Sequence, residues 1–203
     1  CIQHVCKEHR MRDLARLFVR LAVGGLVAAH GSQKLFGWFG GPGPAGTQGM
    51  MENLGMQPPE LWAKIAALGE FSGGSLMFLG FLNPIGSLNV AAVMYVATRK
   101  VHWKLPVWTS SGGAELPLTN LASALAIALV GPGRFSVDGL LGIRLPGPVR
   151  AMAWMATAFG AGMAVRDPAL LSKAAESVLS ETGGTPEAST PPQAGQVAME
   201  TRP

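Results

Sequence analysis

Charge is scarce in this chain. Asp, Glu, Lys and Arg make up 14% of the 203 residues, against about 25% in a typical soluble protein. A soluble domain of this length would struggle to cover its surface with so few charges. The formal charge is +4, and no basic run is long enough to read as a nucleic-acid patch, so nucleic acid is not an expected partner. In a membrane protein such an excess of Lys and Arg sets orientation instead. Cysteine is nearly absent as well. Cys1 and Cys6 both lie at the start of the chain, so no disulfide framework can be built across a fold. With His4 and His9 they form "CIQHVCKEH", whose spacing matches no common zinc pattern. Residues 1–10 read as a leader or upstream extension without a metal, and Met11, which opens "MRDLARLFVRLAVGG", as a start.

Apolar length is what the chain has. A membrane-spanning helix needs about 20 mostly apolar residues. Leu14 to Phe36 meets that length, although it carries Arg16, Arg20, His30 and Lys34. It is longer than the apolar region of a signal peptide and its basic groups recur through it, so it reads as a retained helix. Leu61 to Leu82 is a second span, interrupted by Lys64 and Glu70, and Pro84 with Gly86 makes a tight turn after it. Ile85 to about Val101 and Leu116 to Val130 are the third and fourth, the last ended by "GPGR". Pro148 to Val165 is either a fifth span or an interfacial helix. From Arg166 the composition turns polar and Pro-rich, which reads as a disordered tail. The organisation expected is all-α: an integral membrane bundle over residues 11–147 with four core helices, a further helix over 148–165, and a tail over 166–203. Lys7, Arg10, Arg12 and Arg16 before the first span favour a cytoplasmic N-terminus, although Arg99, Lys100 and Lys104 then fall outside.

The polar groups inside the apolar stretches are the candidates for function. At about 100° per residue, Arg16, Arg20, His30 and Lys34 share one wedge roughly 80° wide. Basic residues near helix ends often snorkel to the interface, which suits Arg16 and Lys34. Arg20 and His30 lie further in, so the wedge reads as a stripe turned toward the bundle interior. Glu70 lies in "AALGEFSGGSLMFLGF". A carboxylate at the bilayer centre costs about 2.5–3.5 kcal/mol on insertion scales, so it should face protein and have a partner. Its partner is a base such as His30 or Lys34, and its role is either to hold helices together or to handle protons or ligand. Gly69 and Gly73 beside it form a small-residue pattern that permits close helix approach. His102 and Glu115 bracket the third loop, where Trp103 and Trp108 suit the membrane interface. Asn120, early in the fourth span, reads as a structural hydrogen-bonding group. The Gly-rich "GWFGGPGPAG" follows a helix and lacks the Lys-Ser/Thr end of a P-loop, so it reads as a re-entrant or surface loop.

Taken together, "RLAVGGLVAAHGSQKLFGWFGGPGPAGT", Glu70 with Gly73 and Gly74 shortly after it, His102, "GGAELPL" and "GPGRFSVDG" resemble the DoxX family of small bacterial membrane proteins, over about residues 12 to 140. The resemblance implies a four-helix membrane bundle in the bacterial inner membrane. His30, Lys34, Glu70, His102 and Glu115 are then the matched polar positions; from their places in the spans they are expected to gather as a polar cluster near the outer membrane face, with Glu70 at a depth the sequence does not fix. It also implies quinone- or sulfur-linked redox work in oxidative-stress defence, with a quinone as ligand and a soluble oxidoreductase as partner, in a chain that is a membrane subunit rather than a complete enzyme. Two other readings stay open at this level: a non-catalytic scaffold, self-associating or not, and a small proton-coupled transporter, for which no inverted repeat is visible.

Overall fold

The apolar stretch that opens the chain forms one continuous rod, already helical from Ile2. The computed structural model describes the backbone of residues 2–166 and the side chains of residues 8–166. The expected tail, Arg166 apart, lies outside the described residues. The rod is helix α1 (Ile2–Val19), a wide π-helical stretch (Arg20–Gly24) and helix α2 (Gly25–Phe36), with helical backbone angles at both joins. It stops at Gly37, whose left-handed φ of 70° lets its N–H reach back to the Gln33 carbonyl, the usual way a glycine closes a helix.

After the turn at Gly37–Pro42 come α3 (Gly43–Asn53), α4 (Pro59–Leu79), α5 (Ile85–Ala97) with a π-helical extension (Thr98–His102), α6 (Glu115–Val130), the short α7 (Val137–Leu141) and α8 (Gly147–Val165). No strand occurs among the described residues, so the fold is all-α. Helix α4 packs between α2 and α5, α5 between α4 and α6, while α3 lies on α4 and α8 on α5.

Two apolar clusters hold these helices. Val27, Met77, Val90, Met94, Ala124 and Ile127 bring α2, α4, α5 and α6 together. Met51, Met56 and Ala63, with Trp62 against them, seat α3 on the first half of α4. The seam between α2 and α4 is made of small residues. A Cβ on Gly31 would stand 2.2 Å from the Phe71 backbone nitrogen, and one on Gly74 would stand 2.4 Å from that of Ala28. Backbones in such contact leave no room for a side chain. Gly69 and Gly73 face the other way, toward Val93 and Asn89 of α5.

Many large apolar side chains also stand on the outside: Phe18, Leu26, Leu68 and Phe159 are each more than half exposed. The expectation of four core spans is only partly met by length and composition. Among the described residues one helix, Glu8–Phe36, is long and apolar enough to cross a membrane, and Glu115–Val130 is apolar but shorter. The reasons are local. Helix α4 carries Lys64 and Glu70 among many glycines and serines, and the apolar part of α5 gives way to Arg99 and Lys100 after 13 residues.

Candidate functional site: a buried ion pair at the end of a half-length helix

Lys34 sits in the last turn of α2 and Glu70 near the middle of α4, and the Lys34 ammonium is ion-paired with Glu70 Oε1. The two helices run antiparallel, since Gly24, Gly31 and Lys34 of the rod meet Phe78, Phe71 and Glu70 in turn. With about 1.5 Å of rise per residue, Glu70 lies about 15 Å from either end of α4. Helix α2 therefore ends halfway along its neighbour, and α3 takes over the packing on the remaining half. The Gly-rich segment is the hairpin between two partial helices. Its fit is close: Thr47 of α3 is buried and its hydroxyl donates to Gly43 O at 2.7 Å and to Lys34 O at 3.5 Å.

The pair is shielded. The Glu70 side chain is 5% exposed and that of Lys34 is 19%. One carboxylate oxygen, Glu70 Oε2, is buried with no hydrogen-bond partner. An unpaired oxygen of this kind is costly, and it is the feature of the site with unused binding capacity. An aromatic pair adjoins it in sequence, with Phe36 edge-on to Phe71 at 5.7 Å between centroids and Trp38 at 4.8 Å from Phe36. Among the described residues no three His, Cys, Asp or Glu gather as metal ligands.

The other sequence candidates have their own partners. His30 is exposed, and its Nδ1 donates to Gln33 Oε1 at 3.0 Å. His102 Nδ1 donates to Gly112 O, and Glu115 Oε2 accepts from Thr109 N at 3.0 Å, so both brace the third loop. Asn120 is buried against Met94, 3.8 Å from its sulfur. Of the four basic residues assigned to one wedge, Arg20 is buried, Lys34 is largely buried, and His30 turns out. His30 and Lys34 both follow the π-helical stretch and lie one turn apart on regular helix, so their difference is one of reach: the long Lys34 side chain extends to Glu70, while the His30 ring bonds along its own helix to Gln33.

A second polar knot lies at the C-terminal end of α4. Arg20, 1% exposed, donates from Nη1 to Phe78 O at 3.1 Å and from Nη2 to Phe135 O. Asp138, also buried, accepts from Leu82 N at 2.9 Å and Asn83 N at 2.8 Å, fixing a turn in which Leu82 has a φ of 53°. Sequence reasoning gave Asp138 and Thr47 no role. "GPGRFSVDG" contains the one available signal, Ser136, which caps α7 by accepting from Gly139 N. Thr47 has none.

An all-helical chain with apolar side chains both inside and outside, and a charge pair deep between its helices, has the make-up of a helical membrane protein. Comparison with known proteins gives the family. The DoxX description matches residues 15–103, a range that ends before "GGAELPL" and "GPGRFSVDG". The chain is 34% identical over 132 residues to inner membrane protein YqjF of Escherichia coli (strain K12), covering 65% of this chain and 95% of that protein. No solved structure matches. The chain belongs to the DoxX family of membrane proteins.

Proposed function

We propose that the chain is a multi-pass protein of the bacterial inner membrane that serves as the membrane subunit of a quinone-linked redox system, with the Lys34–Glu70 pair as its ligand-facing site. The single observation that carries this reading is the unpartnered, buried Glu70 Oε2 beside the Lys34 ammonium. Those two groups fit the polar head of a quinone couple. Glu70 Oε2 would accept from a quinol hydroxyl, Lys34 would donate to a quinone carbonyl, and Phe36 and Phe71 would offer apolar surface to the ring. A quinone held there would supply two-electron carrier chemistry to a soluble oxidoreductase at the membrane surface. His30, His102 and Glu115 stand outside this core: His30 at the rim of α2, the other two as braces of the third loop.

Multi-pass insertion is supported by the exposed apolar faces of α4, α6 and α8 together with the rod. A cytoplasmic N-terminus is supported by the arginines that cluster at one end of the bundle, Arg16 from α1 with Arg134, Arg144 and Arg150 from the C-terminal part.

The test is extraction and mass spectrometry of quinones from the purified full chain, beside Glu70→Gln and Lys34→Met. Parent protein carrying quinone at near one per chain, lost in both variants while they remain folded, is the expected result. Protein that retains no quinone and binds none added in detergent defeats the reading. A scaffold is the second reading. It is favoured by the Lys34–Glu70 pair joining the same two helices that the glycine seam already holds at backbone contact.

A further inference from the structure

The arginine-rich end of the bundle carries an open cavity of about 500 Å³. Its walls come from five places: α1, the turn between α4 and α5, the end of α6, the segment around α7, and the first turn of α8. Four arginines line it, Arg16, Arg134, Arg144 and Arg150, against two aspartates, Asp13 and Asp138. Both carboxylates are already engaged. Asp13 Oδ1 accepts from Arg16 at 3.1 Å, and Asp138 accepts the Leu82 and Asn83 amides. Arg134, Arg144 and Arg150 are left with no carboxylate partner among the described residues. Three arginines, Arg134 and Arg144 on either side of α7 and Arg150 on α8, lining one cavity without counter-charge, make a site for an anion.

We infer that this cavity binds the phosphate of an anionic phospholipid headgroup. Guanidinium groups grip phosphate oxygens through paired, charge-assisted hydrogen bonds, and basic pockets between helices on the cytoplasmic side are where such headgroups bind. The rim selects a lipid over free phosphate. Leu129 and Val130 line the same cavity and are 69% and 55% exposed, an apolar lip suited to the start of acyl chains. The charge balance selects an anionic headgroup over choline, whose ammonium would meet unpaired arginines. This site is separate from the Lys34–Glu70 pair. It rests on the chain being a membrane protein and not on the redox reading.

The experiment uses the full chain, delipidated in a neutral detergent. It is titrated with short-chain phosphatidylglycerol, short-chain phosphatidylcholine and inorganic phosphate, with native mass spectrometry counting bound lipid. One phosphatidylglycerol per chain is expected, bound at least about tenfold more tightly than either other probe. In Arg134→Gln/Arg144→Gln that binding falls about tenfold or more, and in Arg134→Lys/Arg144→Lys it recovers most of the loss because charge is kept. Both residues are exposed, so both variants should melt like the parent. If the double glutamine variant does not fold, Arg150→Gln alone provides the same comparison. Inorganic phosphate binding as tightly as the lipid overturns the lipid assignment. Phosphatidylcholine binding equally overturns the charge argument. Phosphatidylglycerol binding that is unchanged in the glutamine variants overturns the site.

Discussion

Lys34 and Glu70, 36 positions apart in sequence, are paired where α2 ends and α4 is half complete, so one ion pair links the end of one helix to the middle of another. Neither group can leave without stranding the other in a shielded place. Removing one member of a buried pair costs on the order of 3 kcal/mol, so Glu70→Gln and Lys34→Met should each lower the thermal midpoint clearly in detergent. If the pair only holds helices together, the double variant should regain much of that loss. If it also binds a ligand, the double variant should fold yet fail to retain quinone. Single variants that melt and bind like the parent would reduce both residues to anchors.

Glu60 and Lys64 provide the contrast. They are paired one turn apart on α4 at 2.6 Å, but both side chains are 64% exposed. The hydrogen bond from Lys64, aided by its charge, holds the Glu60 carboxyl below its ordinary 4.5. The contribution of this pair is therefore present above that value and is lost as pH falls through the lowered one. Exposed pairs of this sort contribute little, so Glu60→Gln should leave the melting curve at neutral pH almost unmoved. A drop as large as that of Glu70→Gln would show that the start of α4 is packed in a way its exposure denies.

Much of this arrangement can be read from the sequence, for identifiable reasons. The helix starts expected at Leu61, Ile85, Leu116 and Pro148 lie within two residues of the observed Pro59, Ile85, Glu115 and Gly147, because apolar runs and their Gly and Pro breaks define them. That Glu70 needs a basic partner, His30 or Lys34, follows from the cost of burying a lone carboxylate, and the structure pairs it with Lys34. The outward turn of His30 was not legible, since it lies one turn from Lys34 on the same helix and no periodicity tells which of the two reaches Glu70. Helix α3 was not legible either. "GPAGTQGMMEN" has weak helix formers and no apolar period, and it is held by Pro at its start and by Met51 packing on α4. Asp138 was invisible as a structural residue because its partners are backbone amides 55 and 56 positions away.

The glycine seam predicts an order of severity. Gly31→Ala and Gly74→Ala push a methyl into backbone atoms at 2.2 and 2.4 Å, which cannot yield without separating α2 from α4. Gly69→Ala meets the Val93 side chain at 3.0 Å, which can shift. Overpacking costs about 1–3 kcal/mol, so the first two variants should fall at or beyond the top of that range and the third near its foot. Thermal melts of the three in one detergent give the ranking. Equal effects would mean that the seam is looser than its distances.

Asp138 is the staple of the turn between α4 and α5. Replacing it with Ala strands the Leu82 and Asn83 amides, and an unsatisfied buried donor costs about 1–3 kcal/mol. Asp138→Asn keeps one acceptor oxygen and should fall between parent and Asp138→Ala. Limited proteolysis offers a local readout, with cleavage near residues 80–84 rising in the same order. Asp138→Ala that melts like the parent and resists cleavage would show that the turn is held without its carboxylate.

The placement of α8 decides the topology. It has 19 residues, about 28 Å of helix at 1.5 Å per residue, against a hydrocarbon core of about 30 Å. It packs on α5 and leaves Met152, Met155 and Phe159, each more than 60% exposed, on its outer side. In water that stripe would be a liability, whereas against lipid it is the expected surface. Arg150 at its first turn shares the cavity with Arg16 in the last turn of α1, so α8 starts at the end of the bundle where the rod enters it. If α8 spans, reporters fused after residue 140 and at the C-terminus should lie on opposite sides of the membrane. The first should agree with a reporter at the N-terminus, and both should be cytoplasmic. Reporters at 140 and at the C-terminus on the same side would make α8 an interfacial helix, with its methionine face lying in the plane of the headgroups.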